Sequence, residues 1–403
     1  MKYKNIFLEL SDNMLEILTD ISRGGPLTIN ELMDITGMPR TTVNRNIKKL
    51  MELTLIQQDI SDISTGGRPP SIYLINPNGF FVFGIELSRS NVMCVLCNGV
   101  REPIWNYDIA LHRDTTPDIV FQEIFERLIM KMEELKIDKE RLIGIGIGSV
   151  GPLDMSKGIL LNPKGFLNHN WRDLDLKEIF EEKFNTPTFV ANGASMAVMG
   201  EFASNVSKGI NNIIYMNNGV GIRVGVVSNG LLVGGDIDRE GAYGHLIVEP
   251  GGKPCYCRKY GCIESYSTIP AIVKSFREEA RKGRRSILLE KKKIKEINFD
   301  DISEACESGD ILAMDIMDRA ATYMGITLGN IINSVHPQMA VIGGVIPESS
   351  TFYYKRLVQM AKDNIYSPGN MNCIFRPSSL GVNTMATGAA AFVLSRYFNK
   401  KVV

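Results

Sequence analysis

Cysteine is scarce in this 403-residue chain. There are seven, Cys94, Cys97, Cys255, Cys257, Cys262, Cys306 and Cys373, an odd number. No basic-apolar-small leader opens the sequence, so a disulfide framework is not expected and a reducing cytoplasm is. Long apolar runs are also missing. Phe80–Leu87 and its like fall far short of the ~20 residues that span a bilayer, so no membrane segment is expected. Net charge is absent: 45 Lys+Arg against 45 Asp+Glu gives 45 − 45 = 0. Bulk cationic attraction therefore cannot bring the chain to a polyanion, and nucleic-acid binding would need a local patch. A hydrophobic fraction of 44% with 22% charged residues excludes long disorder. At about 150 residues per domain, the length implies two or three domains.

What is present falls into two parts. Residues 1–75 show helical periodicity followed by a polar stretch, Ser61–Ser71, and the turn signal Asn76-Pro77-Asn78-Gly79. Beyond it, β-like runs (Phe80–Leu87, Asn91–Asn98, Ile104–Leu111) lead into helical patterns alternating with apolar runs at Leu142–Ile147, Thr188–Ala191, Ile213–Met216 and Met339–Ile342. This alternation predicts an α/β protein, with a boundary near Pro77.

In the first part, Met14, Leu15, Ile17, Leu18 and Ile21 share one helical face, and Gly24-Gly25-Pro26 ends that helix. Thr28-Ile29-Asn30-Glu31 fits a capping box for a second helix through about Ile35. Gly37 suits a turn, and Pro39 suits the first residue of a third helix. Val43, Ile47 and Leu50 would bury that helix, leaving Arg40, Thr41, Thr42, Asn44, Arg45, Lys48 and Lys49 facing out with no acid among them. This is a helix-turn-helix with a recognition helix. Arg and Asn suit bidentate contacts to base edges, Thr and Lys suit methyl groups and phosphates. Ile56–Asp59 and Ile72–Ile75 read as strands of a wing, with Arg68 at its Gly-Gly-Arg-Pro-Pro tip placed for a minor groove. The basic run Arg281–Lys295 lacks aromatic residues and any groove-fitting motif, and reads as a solvated face.

Cys255-x-Cys257-x4-Cys262, ten residues after His245, supplies three thiolates and one imidazole, enough to close a tetrahedral structural zinc site. Cys94-x-x-Cys97 lies in a predicted strand, where the two side chains face opposite sides and act as separate buried thiols.

These features resemble the ROK family, which contains sugar kinases and sugar-responsive repressors. Gly144-Ile145-Gly146-Ile147-Gly148 with Gly151-Pro152-Leu153-Asp154 resembles a family signature. His245 and the three cysteines match the family zinc loop, although the glycine that usually follows the second cysteine is Arg258. Gly343-Gly344 also matches, and the helix-turn-helix resembles the repressor branch. The resemblance spans essentially the whole chain. It implies a winged helix-turn-helix over 1–76 and a two-lobed, actin-like (ribonuclease-H-like) ROK domain over 77–403. Lobe one would take about 77–191 plus a C-terminal helix near 384–398, lobe two about 192–380, with a sugar cleft between them.

The family's kinase chemistry is not expected. Phosphoryl transfer needs a backbone nest for phosphate and a carboxylate base. Where family kinases read Asp and then Gly-Gly-Thr, this chain reads Glu86-Leu87-Ser88-Arg89-Ser90; where they carry an Asn-Asp pair, it reads Asn192-Gly193. Of the sugar-contacting set, one carboxylate is replaced by Ala242, whereas Asn192, His245 and Glu264 remain as the implied ligand-binding residues. The expectation is a DNA-binding regulator, a repressor of carbohydrate-related genes, acting as a homodimer or higher oligomer on double-stranded operator DNA. It would carry one structural zinc per chain and answer to a sugar or related effector. A sugar kinase with a DNA-binding appendage, and a regulator with a non-sensing pocket under a protein partner, are the alternatives.

Overall fold

The computed structural model of the protein describes residues 3–60, 69–163, 165–205, 208–234, 240–366, 373–378 and 384–398. The N-terminal module forms as its local signals require. After a 3-10 turn at Ile6–Glu9, α1 (Asp12–Gly24) is capped by Ser11 and ends at Gly25. A two-residue strand β1 (Leu27–Thr28) leads into α2 (Ile29–Thr36). The Thr28–Glu31 capping box is formed in both directions, and Gly37 adopts the left-handed φ of 68° that turns the chain. Helix α3 (Arg40–Glu52) follows, with Pro39 at its N-cap rather than inside its first turn as expected. Strands β2 (Ile56–Ile60) and β3 (Ser71–Ile75) pair antiparallel, and β1 joins the far edge of β3. The wing tip, including Arg68, lies outside the described residues.

The first lobe's sheet runs in the order β11-β7-β4-β5-β6. It comprises β4 (Phe81–Leu87), β5 (Asn91–Asn98), β6 (Pro103–Ala110), β7 (Leu142–Ser149) and β11 (Thr188–Asn192). The strands β8 (Leu153–Asp154), β9 (Ile159–Leu160) and β10 (Leu174–Asp175) form a small separate sheet. Helices α4 (Pro117–Glu134), α5 (Leu176–Phe184) and α6 (Gly193–Ala203) complete this stretch. The paired cysteines of β5 enter different cores, as the strand period demands: Cys94 joins Phe83 and Leu128, Cys97 joins Val82 and Ile143. Burial pushes the Cys97 thiol up to about 12.

The second unit holds β12 (Ile213–Asn218), β13 (Ile222–Ser228) and β14 (Leu231–Val233), then α7 (Ile269–Arg281), α8 (Leu288–Lys291), α9 (Phe299–Glu307) and α10 (Ile311–Val335). β15 (Met339–Gly343), α11 (Val345–Ser349), α12 (Thr351–Asn364) and β16 (Ile374–Pro377) finish it, in a sheet ordered β14-β13-β12-β15-β16. Its core gathers Ile214, Val224, Phe276, Met324, Leu328 and Leu357. The chain then returns to the first lobe as α13 (Thr384–Phe398).

The two compact units group the chain more coarsely than the expected domains. The compact units are 1–209 with 235–238 and 380–403, and 210–234 with 239–379, so α6 belongs to the first unit instead of opening the second lobe. The reason is its packing on α13, where a Cβ on Gly388 would lie 2.0 Å from the Met196 carbonyl oxygen. The winged module also lies within the first unit. Phe7, Leu18, Val43 and Leu50 share one core with Phe80, Val95, Ala390 and Tyr397. No helix among the described residues is long and apolar enough to cross a membrane.

Candidate nucleic-acid interface, metal centre and ligand wall

Helix α3 buries Val43, Asn46, Ile47 and Leu50 against the module's core. That leaves Arg40, Thr41, Asn44, Arg45, Lys48 and Lys49 exposed, with Thr42 half-buried. The outward row is therefore the expected one. Arg40 Nη1 donates to Asn30 Oδ1 at 3.2 Å, tying α3 to α2. Lys48 lies 3.9 Å from Glu52, an exposed i,i+4 pair of little energetic weight. Asn46 was not anticipated: it is 3% exposed on the inner face, and its Nδ2 has no hydrogen-bond partner. Its signal was present, since it neighbours Ile47 and sits three residues from Val43. The other basic run is partly paired with acids. Lys282 pairs with Glu279 at 2.7 Å, Lys292 with Asp301 at 2.6 Å, and Arg284 with Asp315.

In the second unit, His245, Cys255, Cys257 and Cys262 place their ligand atoms within 4.8 Å of one another. His245 Nδ1 lies 3.6 Å from Cys255 Sγ, and Cys257 Sγ lies 3.6 Å from Cys262 Sγ. A tetrahedron with metal–sulfur bonds of about 2.3 Å has edges of roughly 3.8 Å, so these spacings fit a zinc-sized ion. Burial, then the hydrogen bond with Cys257, raises the Cys262 thiol to about 12. Burial opposes ionisation of Cys257 too, but the Lys259 backbone N–H and the neighbouring thiols hold it below its usual value. A bound cation would draw both toward the thiolate.

The loop needs its glycines. Gly261 has φ 79°, and a Cβ there would fall 1.8 Å from the Glu249 carbonyl oxygen. Arg258 has φ 69°, a left-handed conformation that explains why glycine is usual at this place. Tyr256, between two ligands, was not singled out from sequence. Its hydroxyl lies 3.2 Å from His245 Nε2, and its ring meets the imidazole edge-on. A cation bound through Nδ1 would leave Nε2–H as the donor to this hydroxyl and so fix the tautomer.

Glu264 comes to the same place. Its Oε1 accepts from the Ile222 N–H at 2.9 Å. Its Oε2 is buried 4.0 Å from His245 Nδ1, and the carboxylate also faces the Tyr256 hydroxyl, whose ionisation burial and then this carboxylate oppose. Gly244 permits this approach, because a Cβ there would lie 2.8 Å from Glu264 Oε1. Asn192 belongs to the first unit and caps α6: its Oδ1 accepts from Ser195 N–H at 2.9 Å and its Nδ2 donates to Ser195 Oγ at 3.0 Å.

The β4–β5 turn has closed on itself. Ser88 Oγ accepts from the N–H groups of Ser90 (3.3 Å) and Asn91 (3.0 Å), and donates to the Asn91 side chain. The ROK resemblance places a phosphate-binding turn at this position. Gly193 has no side chain, and the space a Cβ would take is met at 2.7 Å by Met385 Sδ. Burial, with the Asp108 charge adding, raises the Glu86 carboxyl to about 7.

Comparison with known proteins covers both parts of the chain. The ROK family profile matches residues 82–396, and a winged helix-turn-helix DNA-binding profile matches residues 10–56. The xylose repressor of Bacillus spizizenii is 28% identical over 387 residues, covering 96% of each chain. A glucokinase of Halalkalibacterium halodurans is 27% identical over 278 residues, 68% of this chain and 83% of its own. A crystal structure of a ROK family transcriptional regulator, described as a homologue of the Escherichia coli Mlc protein, superposes with a TM-score of 0.80 at 22% identity. It covers 97% of this chain and 98% of that one.

Proposed function

Because this chain belongs to the ROK family and joins its fold to a winged helix-turn-helix module, we propose that it represses carbohydrate-related genes from operator DNA, without kinase activity. It is a DNA-binding transcriptional regulator. The observation that carries the repressor reading is the exposed, acid-free face Arg40–Lys49, held on a buried core within the same compact unit as the first ROK lobe. Arg45 and Asn44 read base edges, Thr41 and Thr42 meet methyl groups or phosphates, and Lys48 and Lys49 hold the backbone. Arg40 steadies the helix pair. Arg68 on the wing reads the minor groove. Two copies act on one palindromic site, since one winged module contacts few bases.

Two features support the absence of catalysis. Gly193 offers no proton acceptor, and Ser88 occupies the N–H groups of the first loop. The cytoplasm is the compartment. His245, Cys255, Cys257 and Cys262 hold one structural zinc ion, which supplies a rigid knuckle beneath Glu264 and no reaction chemistry.

The effector is a sugar or related metabolite; His245 and Glu264 are its proposed contacts in the second unit and Asn192 its proposed contact in the first, and the buried Glu264 carboxylate, an acceptor of hydroxyl protons, supports this. One observation favours a non-sensing pocket instead: the Asn192 amide is already bonded to Ser195. Footprinting on the DNA upstream of the chain's own gene, with and without a panel of pentoses and hexoses including D-xylose, tests these readings. A protected two-fold site, released by one sugar, is expected. No protected site would end the operator reading, and a site indifferent to every sugar would favour the non-sensing pocket.

A further inference from the structure

Helix α13 touches both functional parts of the first unit. At its start, Met385 Sδ fills the space beside Gly193, the first residue of α6, just after the Asn192 cap. Along its middle the packing is backbone on backbone. A Cβ on Gly84 would lie 1.9 Å from the Ala386 oxygen, and one on Gly146 2.1 Å from the Ala389 oxygen. On α13 itself, a Cβ on Gly388 would lie 2.0 Å from the Met196 oxygen. Three such backbone approaches leave the middle of α13 little room to slide, so a displacement at one end is passed toward the other.

Near its last turn, the Tyr397 hydroxyl donates to the Ile143 carbonyl at 2.5 Å and accepts from Asn5 Nδ2 at 2.9 Å. Asn5 Nδ2 also reaches Ile143 O at 3.2 Å, while its Oδ1 accepts from the Phe7 and Leu8 N–H groups, starting the 3-10 turn. Asn5 and Tyr397 are each 2% exposed. Phe7 packs between Phe80 and Tyr397, with ring centroids 4.8 and 5.1 Å away, and belongs to the core that carries Val43, Ile47 and Leu50 of α3. The winged module is thus latched to the far end of the same helix.

We infer that α13 is the element that carries a change at the Asn192–Gly193 wall to the recognition helix, with Asn5 and Tyr397 as positioning residues of the latch. The inference rests on the reading of α3 as the DNA-binding helix. A two-ended helix of 15 residues spans roughly 20 Å at 1.5 Å per residue, enough to join the two places directly. Linkage makes the effect reciprocal: DNA on α3 must be felt at residues 193–199.

Hydrogen–deuterium exchange on the full chain, with a duplex taken from upstream of its own gene, tests this. DNA should slow exchange about 5-fold or more in α3, in residues 6–10 and in residues 194–199. Tyr397→Phe keeps the ring on Phe7 but removes the hydroxyl; α3 should remain protected while residues 194–199 return to their free rate. Protection of α3 with no change at 194–199 in the unsubstituted chain would overturn the relay, as would a Tyr397→Phe pattern identical to it. No protection on α3 would remove the DNA-binding reading and the relay together. Gly388→Ala gives an independent check, since its Cβ wedges α13 off Met196: operator affinity should fall about 5-fold or more, and unchanged affinity counts against the relay.

Discussion

The β4–β5 turn and the cysteine loop are both loops that the ROK resemblance assigns a ligand, and they have gone opposite ways. In the turn, Ser88 Oγ accepts from the N–H groups of Ser90 and Asn91. In the cysteine loop, four ligand atoms stay within 4.8 Å of one another, and a glycine at 261 keeps the backbone open to a close approach. A loop that only catalyses can be filled with its own side chains at no expense to the fold. A loop that would hold its fold together through a metal could not, and the four converging ligands put the cysteine loop in that position if they bind one.

The sharpest way to break this comparison is at the metal. Cys257→Ser should take zinc content from one ion per chain to none and disorder the knuckle under Glu264. Structural zinc is worth on the order of 10 kcal/mol, so the loss should be plain in melting and elemental analysis. Full metal retention would erase the contrast.

The next effect is smaller and lies in the first unit. Glu86 has its carboxyl raised to about 7, so between about pH 4.5 and 7 the folded state binds more protons than the unfolded one. Stability should therefore fall as pH rises through that window. Glu86→Gln should flatten the profile and add about 1–2 kcal/mol at pH 8, read by chemical denaturation. A variant with the same pH slope as the parent would show that this carboxylate is not a source of that dependence.

Smaller still is the strain at Arg258. Its φ of 69° disfavours any residue with a Cβ, so Arg258→Gly should stabilise the zinc-loaded chain by about 1 kcal/mol or less. Destabilisation would mean the arginine side chain contributes more than its backbone conformation costs. Least of all should Gly193→Asp change phosphoryl transfer. The new side chain meets Met385 and the closed turn still offers no nest, so ATP-dependent turnover with any hexose or pentose should stay at background. Turnover in the parent that vanished in Asn192→Ala would reverse the catalytic half of the comparison.

Much of this was legible in sequence where the signal is local. The Thr28–Glu31 box, the Gly37 turn and the outward row of α3 follow from spacings of three and four residues, and the Cys255–Cys262 spacing from metal geometry. What stayed hidden joins distant positions or depends on side-chain direction. Asn5 and Tyr397 meet across 392 residues, and no periodic pattern reports such a pair. Ser88 could be seen to replace a glycine, but that its hydroxyl would turn inward to Asn91 could not. Helix α6 reads as the start of a second lobe because Asn192 is a site residue, yet Gly388 draws it onto α13.

The measurement that bears most directly on the account is operator affinity of the full chain at physiological salt, against the DNA upstream of its own gene and against unrelated duplex. Arg45→Ala should lower the ratio of specific to non-specific binding about 10-fold, because it removes a base-reading side chain worth roughly 1–3 kcal/mol. Lys49→Ala should weaken all sequences alike and reduce the salt slope by about one, leaving that ratio nearly intact. If both variants bound the operator as tightly as the parent, α3 would not be the recognition helix, and the run Arg281–Lys295 would be the next surface to test.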